Sequence, residues 1–231
     1  MRSRAIRSVA LTLVVLGAVA ASAQDVVFQN VNDNGYFTPF SSSTPAGVKY
    51  GDGGWLSNSI PNNFTLVEID LLLCTSGGTS PGTTDLLFTF NDGDPSGLVF
   101  GSGAPLYSTV LQGVTLPAAI PGSPDPVPFT VTIPLPNVQT LGGFNNIGFS
   151  LGTQNFNFDG QFGFECSSAY GQRVGYYTNN ASYFNGSTWS LFSFGSDPYY
   201  GVANFCATIY SPEPTSLVLL ALGALALARR R

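Results

Sequence analysis

Phe129-Thr130-Val131-Thr132-Ile133-Pro134-Leu135-Pro136 alternates an apolar residue with threonine or proline at every step. Phe129, Val131, Ile133 and Leu135 therefore share one face, the period of two that a half-buried β-strand requires. A second row, Val67, Ile69, Leu71 and Leu73, carries Glu68 and Asp70 on its opposite face. Residues 86–90, 106–111, 147–151, 162–166, 174–177, 189–194 and 205–209 read as further strands, and no helical period persists for more than a turn or two. The intervening clusters are turn formers: Gly51-Asp52-Gly53-Gly54, Gly77-Gly78, Asn91-Asp92-Gly93, Gly142-Gly143 and Asn185-Gly186. Many short strands with such turns predict an all-β protein, a single jelly-roll-like antiparallel β-sandwich over residues 24–210. The proline-rich stretch 117–128 reads as a loop inside that domain, because neither flank has enough alternating strands for a complete sandwich.

The composition excludes much. Charged residues make up 9% of the 231, against about 25% in an average domain. No histidine is present, which removes Ser-His-Asp and Cys-His catalysis and His-ligated zinc. Of eight basic residues, Arg2, Arg4 and Arg7 open the chain and Arg229, Arg230 and Arg231 close it. Only Lys49 and Arg173 lie between, so residues 24–210 hold twelve acids against two bases, a net −10. A chain so poor in lysine and arginine has no footprint for nucleic acid.

Both ends read as addresses. Arg2, Arg4 and Arg7 precede an apolar run from Val9 to Val19, and Ala21-Ser22-Ala23 supplies the small residues a signal peptidase reads. The pattern predicts a secretory signal peptide, residues 1–23, helical and cut between Ala23 and Gln24. A permanent N-terminal anchor would need about 20 apolar residues. At the other end Pro212-Glu213-Pro214 leads to twelve uncharged residues beginning at Leu217 and finishing at Ala228, then three arginines. As a helix at ~1.5 Å per residue that run covers about 18 Å, short of a ~30 Å hydrocarbon core. Residues 211–231 thus suit transient lodging in the inner membrane, with the arginines held cytoplasmic, better than lasting anchorage as a transmembrane helix.

Pro212, Glu213 and Pro214, the hydrophobic stretch and the basic end together resemble the PEP-CTERM sorting signal of exopolysaccharide-producing bacteria. The resemblance implies an exported protein recognised by an exosortase, a membrane-embedded protease that cuts near the motif, and delivery to the cell envelope or extracellular matrix. A wider resemblance links the cargo to the choice-of-anchor β-sandwich passengers that precede such tails. It rests on Asn91-Asp92-Gly93, Gly103-Ala104-Pro105, Asn146-Ile147-Gly148-Phe149 and Arg173-Val174-Gly175-Tyr176-Tyr177, and it implies a fold and no activity.

Candidate chemistry is sparse. Glu68-Ile69-Asp70 resembles the catalytic strand of laminarinase-like jelly-roll glucanases, whose second glutamate follows one or two residues later. Leu72 and Leu73 stand at those positions here, so the acid/base is missing and the pair reads as the solvent face of its strand. Asp92-Gly93-Asp94-Pro95-Ser96-Gly97 resembles the start of a calcium loop, with Asp85 as a further carboxylate, but Gly103 replaces the bidentate glutamate. A tight turn is the competing reading, and no other metal or cofactor is expected. Cys74, Cys166 and Cys206 are odd in number, which predicts one disulfide in an exported chain, with Cys166–Cys206 as the chosen pair. Trp189, Tyr199 and Tyr200 are the aromatics best placed to stack on sugar rings, although most aromatics will be core. The sequons at Asn63, Asn180 and Asn185 read as unused, the last as a hairpin turn. The expectation is a non-catalytic exported protein associated with exopolysaccharide. A carbohydrate-binding module and a degenerate jelly-roll glycan hydrolase are its rivals.

Overall fold

The computed structural model describes residues 24–31, 33–56, 64–141, 145–167, 172–177, 180–194 and 203–212. Fifteen strands run through them. The first eight are β1 (Gln24–Asn30), β2 (Asp33–Phe37), β3 (Val48–Trp55), β4 (Thr65–Ser76), β5 (Gly82–Gly93), β6 (Gly101–Leu116), β7 (Val127–Gln139) and β8 (Asn146–Asn157). The rest are β9 (Gln161–Ser167), β10 (Gln172–Val174), β11 (Tyr176–Tyr177), β12 (Ala181–Asn185), β13 (Trp189–Phe192), β14 (Asn204–Phe205) and β15 (Ala207–Pro212). One sheet has the order β10-β1-β15-β4-β9-β14, with β2 also on β9 and β7 on β4. The other has the order β13-β12-β3-β8-β5-β6, with β11 on β3.

The all-β, two-sheet antiparallel architecture is thus present. Its strand order departs from an eight-stranded jelly roll of two Greek keys, because β5–β6 and β12–β13 are hairpins that each stay within one sheet. The expected signal-peptide helix and C-terminal hydrophobic helix lie outside the described residues. Among the described residues no helix is long and apolar enough to cross a membrane.

The two alternating rows become neighbours. Ile69 pairs with Ile133, Leu71 with Val131 and Leu73 with Phe129 across β4 and β7, so period two in the sequence turns into cross-strand contact on one face. Ile69, Leu71, Leu73 and Ile133 are fully buried. The first member of the β4 row is corrected. A register shift between Leu66 and Glu68 moves Leu66 into the core and leaves Val67 half-exposed, because one inserted residue flips the faces that precede it. Phenylalanines fill the space between the sheets: Phe149 of β8 lies 5.9 Å from Phe164 of β9, which stacks on Phe205 of β14 at 4.3 Å. Each such ring, fully buried, contributes roughly 1.5–3 kcal/mol.

Three further expectations are corrected. Residues 51–54 form no turn; they are the second half of β3, paired with Ser150, Phe149, Gly148 and Ile147 of β8. Residues 91–93 close β5, and the reversal into β6 falls at 94–100. No disulfide joins Cys166 to Cys206, and all three cysteines are buried. The β9–β14 ladder sets Phe205 opposite Cys166 and shifts Cys206 by one position, whereas a bridge needs facing Cβ atoms about 3.5–4.5 Å apart. Residues 117–126 are the loop between β6 and β7, as the prolines implied. The Asn185-Gly186 hairpin also forms, with Gly186 at φ 96 and the Asn185 side-chain Oδ1 accepting the Ser187 and Thr188 amides, each at 2.9 Å.

Candidate functional site

The first and last of the described residues meet at one place in the fold. β1 lies antiparallel to β15, pairing Gln24 with Pro212, Asp25 with Ser211 and Val26 with Tyr210. On its other side β15 pairs with β4 from Ala207 to Tyr210. Pro212, the first residue of the sorting motif, is therefore the last residue of a central strand, beside the residue expected to become the mature N-terminus. Glu213, Pro214, the run from Leu217 to Ala228, Arg229 to Arg231, Ala21 and Ala23 lie outside the described residues.

The acidic loop is fully engaged with the protein itself. Asp94 is buried; its Oδ1 accepts the Ser182 hydroxyl and the Ser96 amide at 3.1 Å. Its Oδ2 accepts the Ser96 hydroxyl and the Leu98 and Val99 amides at 3.1 and 3.2 Å. Asp92 accepts the Ser102 hydroxyl at 2.7 Å and its amide at 3.2 Å. Asp85 stands seven residues back along β5, about 23 Å at ~3.3 Å per residue. There it accepts the Gly113 amide and the Asn155 side chain, each at 2.7 Å, bonds that hold its carboxyl below the usual range, the Gly113 amide foremost. The structure thus keeps Asp92 and Asp94 together and Asp85 apart. Among the described residues no group of three or more His, Cys, Asp or Glu side chains could hold a metal ion.

The residue that sequence reasoning missed is Asp52. Placed in a supposed turn, it is instead fully buried in β3. Its Oδ1 accepts the Gly53 amide at 2.7 Å, and its Oδ2 reaches the facing sheet to accept the Phe205 amide at 2.8 Å. The Phe205 carbonyl accepts the Tyr177 hydroxyl from β11, so two side chains of one sheet grip both polar atoms of one residue in the other. Burial pushes the Asp52 carboxyl well above its ordinary range and Asp94 adds to this, while the two amides pull the other way. Burial, with Asp52 next, likewise pushes Tyr177 well up. The flanking Val48, Tyr50 and Trp55 were the available signal that this glycine-rich stretch is a strand.

The remaining candidates are quickly placed. Asp70, on the outer face of β4, accepts the Thr132 hydroxyl at 2.6 Å and the Tyr210 hydroxyl at 2.9 Å. Burial, then this bond, pushes Tyr210 up to about 12. Trp189 opens β13 and packs on Phe184 at 5.1 Å, half-buried at the margin of its sheet. Tyr199 and Tyr200 lie outside the described residues. A groove of about 350 Å³ is lined in part by Phe37, Asp125, Pro128 and Glu165, with Glu165 buried.

Comparison with known proteins settles the tail. Residues 212–231 match the PEP-CTERM protein-sorting motif. This motif implies an exported protein that is processed at the membrane by an exosortase. No curated protein and no solved structure shows significant similarity to the chain.

Proposed function

We propose that this PEP-CTERM protein is a non-catalytic component of the cell envelope or extracellular matrix, associated there with exopolysaccharide. Signal peptidase would release Gln24. The C-terminal segment would then hold the precursor briefly at the inner membrane until an exosortase frees a choice-of-anchor-like passenger. The observation that carries the reading is the sorting motif starting where the last strand ends. The acidic side chains support a structural role: Asp52, Asp70, Asp92 and Asp94 all spend their oxygens on protein donors. A cargo of net charge −10 with no apolar tail would stay soluble after release.

Carbohydrate binding is the second reading, favoured by the half-buried Phe184–Trp189 pair at the sheet margin, since flat aromatics stack on sugar faces. The secreted protein should lack Leu217 to Arg231, as read by intact mass. It should co-sediment with the producing organism's own exopolysaccharide, and Trp189→Ala should weaken that co-sedimentation if the aromatic pair makes the contact. A secreted species still ending in Arg231 refutes the sorting reading; purified protein that ignores the polysaccharide refutes the association.

A further inference from the structure

A sheet edge invites a further strand unless it is short, charged or interrupted by proline. Among the described residues, β2, β10, β11, β13 and β14 each have one neighbour and are two to five residues long. β7 is long and pairs only with β4, but Pro128, Pro134 and Pro136 remove amides from it. β6 is different. It runs for 16 residues, pairs among the described residues with β5 alone, and carries no charged side chain. Pro105 and Gly113 bound its open part. The proline has no N–H, and the Gly113 amide, at φ 62, is already given to Asp85 Oδ1 at 2.7 Å. Between them Leu106-Tyr107-Ser108-Thr109-Val110-Leu111-Gln112 holds no proline, glycine or charge. Residues 107–111 pair with β5 in unbroken register, so every second one turns its N–H and C=O away from β5. Val110 is 45% exposed, and Leu106, Tyr107 and Leu111 are only partly buried against the core.

We propose that residues 106–112 of β6 are a docking edge for a second copy of this chain, which joins two seven-stranded sheets β6 to β6 across a two-fold axis. Three observations select the second copy. Set antiparallel to itself, this edge offers a donor for every acceptor it presents. Residues 24–210 hold twelve acids against two bases, so two copies repel over most of their surface, and β6 is a long edge that brings no charge to the contact. Short, β-prone, uncharged segments without proline or glycine also pair readily with identical segments. Because the same patch serves both copies, the assembly closes at two. The short and proline-bearing edges elsewhere give a third copy no place to add. Val110 then meets apolar side chains of the partner strand, and the half-exposed Tyr107 and Leu111 become covered from the side.

The test is sedimentation equilibrium of the secreted protein from micromolar to millimolar concentration, the range of small interfaces, with amide hydrogen exchange at both ends of that range. The average mass should rise roughly twofold and level at two chains. Exchange at 106–112 should slow as the dimer fills. Val110→Glu places two like charges at the seam and should raise the half-dimerisation concentration at least about tenfold. Ile120→Glu adds the same charge at a residue 59% exposed in the loop after β6 and should leave the mass curve close to wild type. A mass that stays at one chain, or one that grows past two, overturns the proposal. So does a dimer that Val110→Glu weakens no more than Ile120→Glu. If Val110→Glu fails to fold, the wild-type exchange decides: a dimer whose 106–112 amides exchange as fast as the monomer's pairs elsewhere, and the proposal falls.

Discussion

Replacing Asp52 by Ala removes the acceptor of two buried amides, Gly53 at 2.7 Å and Phe205 at 2.8 Å. An orphaned buried donor costs about 1–3 kcal/mol, so the pair sets a loss of roughly 2–6 kcal/mol. For a domain of this size that corresponds to a fall in Tm of roughly 2–4 °C per kcal/mol. Urea denaturation of the secreted protein, followed by tryptophan fluorescence, reads the loss directly. Asp52→Asn keeps the shape and removes the titration, adding a pH-independent cost because one of the two acceptor oxygens becomes an NH2 donor facing a backbone amide. Because the folded carboxyl titrates above its unfolded value, its stabilisation is complete below about pH 4. It is lost as pH rises through the folded value. Asn does not ionise, so the cost of Asp52→Asn should be greatest in acid and shrink as pH rises. Asp85 and Asp159, held below their usual range by hydrogen bonds, lose stability as pH falls through their folded values. They are present in both proteins and cancel in the difference. A loss below about 1 kcal/mol for Asp52→Ala, or an Asn cost that grows with pH, refutes the clamp.

Tyr177→Phe should cost about 1–3 kcal/mol by freeing the Phe205 carbonyl, and the double variant with Asp52→Ala should fall short of additivity because both act on Phe205; strict additivity by denaturation would separate them. Gly53→Ala should lower stability by about 1–3 kcal/mol, since its Cβ would stand 2.8 Å from the Asp94 backbone; an unchanged Tm would show that the loop yields. Millimolar calcium or a chelator should leave Tm unchanged, because the Asp94 oxygens are already occupied by hydroxyls and amides; a calcium-dependent rise in Tm would restore the metal reading.

Alternation was enough to place Ile69, Leu71, Leu73 and Ile133 in the core, because a strand's side-chain geometry is local and repeats every two residues. The tail was equally legible, since Pro212-Glu213-Pro214, an apolar run and three arginines act through composition and order along the chain. What sequence could not supply was which strands lie side by side. Gly51-Asp52-Gly53-Gly54 has the chemistry of a turn, and only the packing of the loop that follows β5 against β3 explains why small residues are needed in a buried strand there. Asp52 became a bridge because Phe205, 153 positions away, arrives opposite it. Asp85 and Asp92 looked adjacent as ligands, yet an extended strand separates what a loop would have gathered. The meeting of Gln24 and Pro212 is likewise a matter of long-range register: nothing in either segment encodes its partner, and the pairing follows from how two whole sheets close over one core.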